Sequence, residues 1–319
     1  NKQMNNLNPE IKSKIAVIGS INMDLKIKVP HLSSPGETVL PCEFTSSCGG
    51  KGANQAVGAA KLGAEVHFLG RVGKDAYGKS LLGNLNEYEV NTDHIIVDSR
   101  NSTGIATILL DAAAENYIYV APGANYSWES SDLEKLPEFT ANSDYFLLQN
   151  EIPIDVTEFV VSRAKFEDKF IIWDPAPVMK YSQDICKNID IITPNQQETE
   201  LLTGVKAETV EEAKIAGQQL ISMGFLNVII TLGELGCLLT TATDHIYYPP
   251  FNVQVVDTVS AGDAFNAALA VYLSKGSELK DAIYYANVAG ALAVSKLGSQ
   301  ESMPSKTDIE EFLTEVKSK

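Results

Sequence analysis

The sequence predicts an α/β fold with a doubly wound, mostly parallel central sheet, helices on both faces of that sheet and a small antiparallel β lid. Short apolar strands alternate with helical stretches of about 10–15 residues along most of the chain, which is typical of a parallel sheet buried on both faces. Two other stretches alternate apolar and polar residues, which indicates strands with one solvated face. We expect those strands to form the lid.

The predicted elements of the main sheet follow one another along the chain. KIAVIGS is a buried strand that ends at Gly19, and residues 52–64 form an Ala-rich helix that stops at Gly63. VHFLGRVG and AYGKSLLGNLNEYE are the next strand and helix. The remaining strands are YFLLQ, FIIWD, IDIITP, NVIITLG and IYYPPFNVQVVD, with helices such as VEEAKIAGQQLISMG between them.

The lid strands are expected within residues 25–48 and 102–122. The first range contains LKIKVPHL, and the second contains TGIATILLDAAAENYIYVAPG, in which AAAEN is typical of a hairpin turn. Residues 14–319 are expected to form one domain, preceded by a disordered polar tail at residues 1–13.

Charge and composition argue against several classes of partner. The formal net charge is 25 − 41 = −16, and neither nucleic acid nor an anionic membrane is attracted to a negative surface. The four cysteines (Cys42, Cys48, Cys186 and Cys237) form no CxxC and no zinc-like spacing with histidine, so we expect reduced thiols in a cytoplasmic protein. The chain contains neither an apolar run of about 18 residues nor an N-terminal apolar segment, so neither a transmembrane helix nor a signal peptide is expected.

The stretch GKDAYGKS, from Gly73 to Ser80, matches the P-loop pattern G-x-x-x-x-G-K-[ST]. Asp174, at the end of FIIWD, could then serve as the acid that holds magnesium. Asp75 argues against a P-loop, because its carboxylate would lie inside the loop that binds the phosphates. A carboxylate about 4 Å from a phosphate is repelled by roughly 4 kcal/mol at an effective dielectric of 20. We therefore favour an ordinary strand-to-helix turn in which Asp75 caps the helix and Lys79 faces solvent together with Ser80.

A second glycine-containing stretch, VVDTVSAGDAFNAALAVYL, has the features of an anion-binding turn. A strand that ends at Val256 is followed by three small residues, Ser260, Ala261 and Gly262, and then by an apolar helix. Small residues let backbone N–H groups approach an anion at a helix N-terminus. Asp263 at this turn is either a general base beside an anion hole or simply a helix cap.

Two stretches could bind a sugar. CGGKGANQAV places Lys51 and Asn54 beside paired glycines at a helix start, which suits a ligand with many hydroxyls, although a plain glycine turn is equally consistent. GSINMD places Asn22 and Asp24 at the carboxyl end of the first strand, where open α/β sheets bind ligands. An Asx-turn is the alternative for this pair.

Two further stretches could bind a nucleotide. ITPNQQETELLTG places Asn195 and Glu198 three residues apart at a helix start, either for a magnesium–water cluster or as a capping box. TLGELG, from Thr231 to Gly236, ends a strand with two glycines that could line a cleft or form a left-handed turn.

Taken in order, GSINMD, GGKGANQA, PNQQE, TLGELG and DTVSAGDAF resemble the motifs of the ribokinase-like (PfkB) family of sugar and nucleoside kinases. The resemblance extends from about Lys14 to Pro304. The sequences of the motifs are most similar to those of the ribose-phosphorylating members. The family also has a G-x-D-x-x-G turn, which GKDAYG matches with Asp75 in place.

The resemblance implies that the protein transfers phosphate from ATP to the 5-hydroxyl of D-ribose. Asp263 would be the base, beside an anion hole formed by the backbone of Ser260, Ala261, Gly262 and Asp263. The implied pentose-binding residues are Asn22, Asp24, Gly50, Lys51, Asn54 and Glu151. The implied residues for ATP and Mg²⁺ are Asn195, Glu198 (through water), Thr231, Gly233, Gly236, Ala261, Gly262 and Asn287.

The family also implies an activating monovalent cation, K⁺, beside the anion hole and a homodimer formed through the lid. The matching cation positions are Asp257, Val259, Ala293, Lys296, Gly298 and Ser302. Three residues depart from the family pattern: Ser260 replaces Gly or Ala, Ala267 replaces a frequent Gly, and Asn287 replaces a His that lies against adenine.

Three alternatives remain open at this point. The first is a kinase of the same family for deoxyribose, another sugar or a nucleoside. The second is a P-loop NTPase that uses Lys79 and Asp174. The third is a non-catalytic sugar-binding protein, which would have no use for a base that faces an anion hole.

Overall fold

The structure is a computed structural model that describes residues 13–113, 116–134 and 136–318. The predicted tail lies outside these ranges except for Ser13, which is buried and hydrogen-bonds the hydroxyl of Ser274. None of the helices in the described ranges has the length and apolar character that crossing a membrane requires.

The main sheet has nine strands and is mostly parallel, as predicted. In spatial order the strands are β13 (His245–Tyr248), β12 (Cys237–Thr240), β11 (Val228–Thr231), β10 (Ile191–Ile192), β9 (Phe170–Trp173), β8 (Tyr145–Leu148), β1 (Lys14–Ile18), β4 (Glu65–Gly73) and β5 (Asn91–Asp98). Neighbouring strands run parallel from β11 to β5, whereas β12 and β13, at the other edge, are antiparallel to their neighbours.

Helices cover both faces of this sheet, which confirms the doubly wound prediction. Successive side chains of a strand point to opposite faces, and in β1 the side chains of Ile15 and Val17 enter one apolar cluster while those of Ala16 and Ile18 enter the other. The first cluster packs against α1 (Lys51–Lys61), α2 (Ala76–Glu87), α8 (Ala261–Ser274), α9 (Leu279–Val294) and α10 (Lys306–Ser318). The second packs against α3 (Ser130–Leu133), α4 (Leu136–Thr140), α5 (Ile154–Phe166), α6 (Gln196–Thr203) and α7 (Val210–Ser222).

A separate four-stranded sheet forms the predicted lid. Its strands, in spatial order, are β3 (Glu43–Gly49), β2 (Asn22–Lys28), β6 (Gly104–Leu110) and β7 (Asn116–Ala121). The β2–β3 and β6–β7 pairs are antiparallel, whereas the central pair β2–β6 is parallel because the chain crosses the main domain between them. The predicted hairpin joins β6 to β7, and residues 114 and 115 of its turn lie outside the described residues.

One predicted strand is much shorter than expected. The pattern IYYPPFNVQVVD predicts a strand up to Val256, but β13 ends at Tyr248 and residues 249–256 are irregular. Pro249 and Pro250 lack the N–H that a sheet ladder needs, and therefore end the strand. The segment instead attaches to α9, since the N–H of Val256 donates to the carbonyl of Val294 at 2.7 Å.

The stretch GKDAYGKS is a strand-to-helix turn, as predicted. Asp75 caps α2 by accepting from the N–H of Gly78 at 2.8 Å, and Lys79 is exposed. The two glycines serve close packing, because a Cβ atom on Gly78 would collide with the carbonyl of Gly73. Asp75 also accepts from the N–H of Thr103 at 2.8 Å and from its hydroxyl at 2.6 Å, which ties the turn to the residue that precedes lid strand β6.

We predict that Asp75→Ala destabilises the protein by about 2–3 kcal/mol, because it removes a helix cap and leaves the donors of Thr103 without their acceptor. Urea unfolding followed by circular dichroism measures this change. The matched control is Lys79→Ala, four residues along the same turn, which should change stability by less than about 0.5 kcal/mol and leave phosphoryl transfer intact. Loss of all nucleotide hydrolysis in Lys79→Ala would instead support the P-loop.

Candidate active site

Polar residues gather along the edge at which the parallel strands end. β1 is followed by Ser20, β8 by Gln149 and Glu151, β9 by Asp174, and β10 by Asn195. The winding of the sheet reverses between β1 and β8, since β4 and β5 lie on one side of β1 and the later strands on the other. Ligands of open α/β proteins bind in the crevice at such a switch point.

The helices α1 and α8 begin at this edge and pack closely together. A Cβ atom on Gly58 of α1 would lie 2.9 Å from the Cβ of Ala267, so Gly58 accommodates the alanine that departs from the family pattern. The N-terminus of α1 in turn lies against the end of β1, since a Cβ on Gly52 would lie only 2.7 Å from the backbone nitrogen of Ser20. These contacts direct both helix starts into the crevice.

Asp263, the third residue of α8, has only 3% of its surface exposed. Its Oδ2 accepts from the side-chain amide of Asn54 at 3.0 Å, and its Oδ1 accepts from that of Gln55 at 3.1 Å. The carboxylate therefore faces α1 across the crevice, and the N-cap position of α8 is occupied by Ser260 instead. A purely capping role for Asp263 does not fit this arrangement.

Lys51 supplies positive charge to the crevice. Its Nζ lies 3.7 Å from Oδ2 of Asp174 and 4.0 Å from Oδ1 of Asp263. Burial alone would lower the pKa of Lys51, but the negative charges of Asp174, Asp263 and Glu151 outweigh it and raise that pKa above its usual value. Lys51 is therefore an ammonium at any physiological pH, and 30% of its side chain remains exposed to an incoming ligand.

The predicted sugar-binding residues surround the same crevice. Glu151 accepts from the hydroxyl of Ser20 at 2.5 Å and from the backbone N–H of Lys51 at 2.9 Å, which fixes its carboxylate at the mouth of α1. Asn22 is buried at the start of β2, where its Oδ1 accepts from Asn125 at 2.8 Å. The N-cap of α1 is Gly50, whose φ of +90° is strained for any residue with a side chain.

Asp24 lies on β2 beside these residues. Burial and, to a smaller extent, the nearby negative charges of Glu151 and Asp263 together raise the pKa of Asp24 to about 7. A carboxylate at this position is costly in the free protein because water is partly excluded and few positive charges are near. Hydroxyl donors of a bound sugar would relieve that cost.

The first turn of α8 has the form of an anion cradle. Its opening N–H groups have no partner within the helix, as at any α-helix N-terminus. Gly262 is exposed, and a Cβ built on it would meet no atom of the described residues within 4 Å. Ser260 has φ +63°, and its hydroxyl accepts from Asn54 at 3.2 Å, so the hydroxyl that departs from the family pattern binds α1 and does not fill the cradle.

The predicted nucleotide-binding residues lie on the neighbouring strand ends. Asn195 and Glu198 form a reciprocal capping box, with both N–H···O distances at 2.8 Å, and Thr231 lies in the strand next to Asn195. Gly233 and Gly236 both have positive φ and flank a single 3₁₀ turn. Gly233 leaves the surface beside this turn open, whereas a Cβ on Gly236 would lie 2.1 Å from the carbonyl oxygen of Tyr248, so Gly236 serves close packing.

Asn287 is on α9, where its Nδ2 donates to the carbonyl of Pro249 at 2.9 Å. This contact ties α9 to the segment after β13. The amide nitrogen of Asn287 is thus already engaged by backbone.

The segments predicted to hold a monovalent cation lie beside each other. The N–H groups of Val256 and Asp257 both donate to the carbonyl of Val294, at 2.7 and 3.2 Å. The predicted ligands on the two segments are Asp257, Val259, Ala293, Lys296, Gly298 and Ser302. No group of three or more His, Cys, Asp or Glu side chains suited to a metal occurs within the described ranges, so a cation here would depend on carbonyl and hydroxyl oxygens.

Lys296 can contribute only its backbone to such a site. Its Nζ binds Oδ1 of Asp308 at 3.1 Å, and an ammonium has no lone pair to offer a cation. The hydroxyl of buried Ser302 donates to the carbonyl of Ser299 at 2.8 Å and keeps its oxygen lone pairs available.

Residues 12–306 match the pfkB family of carbohydrate kinases. The chain belongs to this family. It is 36% identical to a ribokinase of Haemophilus influenzae over 95% of this chain and 99% of that protein, and 33% identical to a deoxyribokinase of Salmonella typhi over 94% and 98%. A solved structure of Arabidopsis thaliana ribokinase complexed with ribose and ATP is similar with a TM-score of 0.89 and 31% identity, over 95% of this chain and 99% of that one.

As a pfkB-family carbohydrate kinase, the protein is a phosphotransferase that acts on an alcohol group. This result excludes the P-loop NTPase and the non-catalytic binder. It is also consistent with the turn at Asp75, which serves packing in this fold.

Sequence reasoning missed two residues of this kinase's crevice. Gln55 follows Asn54 in the motif, and its amide bridges the carboxylates of Asp174 and Asp263 at 2.9 and 3.1 Å. Asp174 was considered only for a P-loop, yet it directly follows β9 and lies in the crevice. The signal that identified Asn22, a polar residue at the carboxyl end of a strand, also applies to Asp174.

We predict that Asp24→Asn raises the melting temperature of the ligand-free kinase by about 2–4 °C at pH 8 and by much less at pH 4.5. The native pKa of Asp24 is about 7 and its ordinary value is 3.8, so between these pH values the unfolded chain binds fewer protons than the folded one. The contribution of Asp24 to stability therefore falls as pH rises from about 4 to about 7. Differential scanning calorimetry at both pH values measures the melting temperatures, and Asp93→Asn, at an exposed position, is the control. An equal increase in the melting temperature of Asp24→Asn at pH 8 and pH 4.5 would contradict the prediction.

Proposed function

We propose that this kinase transfers the γ-phosphoryl group of ATP to the 5-hydroxyl of D-ribose, giving D-ribose 5-phosphate and ADP. The observation that carries the proposal is the buried carboxylate of Asp263 on the first turn of α8, beside an open cradle of N–H groups and opposite Lys51. The named activities of the similar proteins support ribose as the acceptor.

The sugar would lie between β2 and the start of α1. Asp24 and Asn22 offer acceptors and a donor to adjacent ring hydroxyls, and the backbone at Gly50 allows close approach. Glu151 is held by Ser20 and Lys51, and Asn54 points from α1 toward Asp263. In this arrangement the primary hydroxyl of the pentose reaches Asp263.

Asp263 acts as the general base. Its carboxylate takes the proton of the 5-hydroxyl as that oxygen forms a bond to the γ-phosphorus and the bond to the β,γ-bridging oxygen of ATP breaks. Negative charge on the transferring group is stabilised by the N–H groups of Ala261, Gly262 and Asp263 and by the ammonium of Lys51. The amides of Asn54 and Gln55 hold the base in its orientation throughout.

The nucleotide would extend from this cradle past Asn195, Thr231, Gly233 and Gly236 toward Asn287. Mg²⁺ bound with ATP would supply positive charge for the phosphates, and Glu198, held by the capping box, would hold its water shell. K⁺ between the Asp257 and Ser302 segments would stiffen the loop that leads into the cradle. The oxygen donors there suit such a hard cation.

We also propose that the lid forms a homodimer with a second lid. β7 is an edge strand, and large apolar side chains on it are solvent-exposed, namely Ile118, Tyr119 and Val120. An exposed apolar edge strand is a ready surface for pairing with another chain. The solution mass from sedimentation decides between one and two chains.

A second acceptor, deoxyribose, is supported by the 33% identity to the Salmonella deoxyribokinase, which is close to the 36% identity to a ribokinase. The two sugars differ only at one ring hydroxyl, so the polar groups of Asn22 and Asp24 would decide between them. A site that hydrogen-bonds a hydroxyl discriminates strongly against the sugar that lacks it.

We predict that ADP release from Mg·ATP depends on added ribose. Ribose, deoxyribose, fructose and adenosine are compared with a reaction that lacks an acceptor, each in KCl and again with K⁺ replaced by choline. Highest kcat/KM with ribose, and a lower rate in choline, are the expected results. A preference for deoxyribose would select the second acceptor, and equal rates with and without acceptor would refute the proposed reaction.

We predict that Asp263→Asn lowers kcat by about 10²–10⁴, the usual effect of losing a general base. Asparagine keeps the size of the side chain, so KM for ribose should change little. The matched control is Asp281→Asn, which alters an acidic residue in the first turn of the neighbouring helix α9 and should leave kcat unchanged. Turnover close to wild type in Asp263→Asn would remove this residue from the role of base.

A further inference from the structure

Asp174 is the one buried carboxylate of the described crevice to which the proposed reaction gives no task. It directly follows β9, and only 4% of its surface is exposed. Burial raises the pKa of Asp174 above its usual range, while Lys51 opposes that rise. A charge that is costly to bury is usually retained for a function.

Asp174 and Asp263 share the same two partners. The Nε2 of Gln55 donates to Oδ2 of Asp174 at 2.9 Å and to Oδ1 of Asp263 at 3.1 Å. The Nζ of Lys51 lies 3.7 Å from Asp174 and 4.0 Å from Asp263. Gln55 cannot turn away from this position, because its Oε1 accepts from the amide of Gln149 at 2.6 Å.

Because Asp174 and Asp263 share Lys51, Asp174 affects how readily Asp263 can accept a proton. An ammonium that pairs fully with a carboxylate makes it a weaker proton acceptor, and a nearby negative charge makes it a stronger one. With Asp174 present, the charge of Lys51 is divided between two carboxylates. With Asp174 neutral, Lys51 would move onto Asp263 and lower its basicity.

We propose that Asp174 is a positioning residue that holds Lys51 between the two carboxylates and thereby keeps Asp263 basic and the ammonium free for the transferring phosphoryl group. The inference rests on the proposed role of Asp263 as the base. Asp174 itself need not touch either substrate. It acts through Lys51 and through the shared amide of Gln55.

Other charged groups face the same space and must be considered in any pH measurement. Glu151 follows β8, Glu198 lies in the first turn of α6, and Asp24 lies on β2. Each contributes negative charge toward Lys51, Asp174 or Asp263. The pKa values of Asp24 and Asp174 are both raised to about 7, so both carboxyls change charge near neutral pH. Measuring kcat with saturating ribose and ATP keeps Asp24 in its sugar-bound form.

The test is Asp174→Asn, which keeps the shape of the side chain and an acceptor for Gln55. We expect kcat at pH 8 to fall about tenfold with KM for ribose within about twofold, since the lost effect is on the base. The acidic limb of the kcat–pH profile, in which kcat falls as the pH falls, should move to lower pH by about one unit. The reason is that the substitution removes the negative charge of Asp174 next to Asp263. A purely structural role would not move that limb.

Further variants sharpen the test. In the Lys51→Gln variant, adding Asp174→Asn should lower kcat by less than about twofold. The ammonium through which Asp174 acts on Asp263 is already absent there. Asp144→Asn is the matched control, since Asp144 pairs with Lys169 at 3.2 Å directly before β8 begins and should leave the profile unchanged. If Asp174→Asn is unfolded at the assay temperature, Asp174→Glu replaces it and should keep the wild-type acidic limb.

The outcomes separate this inference from the proposed function. The inference would be overturned if a folded Asp174→Asn enzyme kept both the wild-type kcat and the wild-type acidic limb of its kcat–pH profile. It would also be overturned if Asp174→Asn changed only KM, or if Asp174→Glu displaced the acidic limb by about one unit. The proposed base is tested independently by Asp263→Asn. If that variant is inactive while Asp174→Asn behaves as wild type, the proposed function stands and only the role of Asp174 is lost.

Discussion

The whole site depends on how closely helix α1 approaches the end of strand β1. A Cβ atom at position 52 would overlap the backbone of Gly19 and Ser20, so the helix can begin there only with glycine. This contact fixes Lys51 and Asn54 at the switch point of the sheet, and the Gly58–Ala267 contact then fixes α8 against α1. Two helix N-termini are thereby directed at one crevice, where an anion is attracted and its donors are already in place.

Electrostatic crowding is the second organising feature. Glu151, Asp174, Asp263 and Glu198 are gathered around Lys51, Asp24 lies near Glu151 and Asp263, and the full chain carries a net charge of −16. Such an arrangement costs stability in the free protein, because carboxylates are desolvated with too little positive charge between them. The cost fits the proposed reaction, in which a sugar would bring hydroxyl donors to the carboxylates and the N–H groups of α8 would separately attract phosphate.

Much of this could be predicted from the sequence. The parallel sheet, the lid and the polar residues that follow strands are local patterns, and so is the cap at Asp75. The missed features depend on distant parts of the chain. Gln55 hydrogen-bonds residues that are 119 and 208 positions away in the sequence. The parallel pair β2–β6 joins two strands that are separated in the sequence by elements of the main domain. No periodicity in one segment encodes such pairings. The shortened β13 differs, because its two consecutive prolines were visible and outweigh the apolar pattern.

The lid joins the main domain through the site itself. β2 begins at Asn22, β3 ends at Gly49 next to the cap of α1, and β6 begins directly after Thr103, which Asp75 anchors. If the lid swings about these points, Asn22 and Asp24 move with it, so part of the proposed sugar-binding surface would exist only in one lid position. Part of the intrinsic binding free energy of a sugar is then spent on ordering the lid, and the measured dissociation constant reports the lid equilibrium as well as the contacts. Stiffening the hinge residues is thus a way to change apparent affinity without altering any atom that touches the sugar.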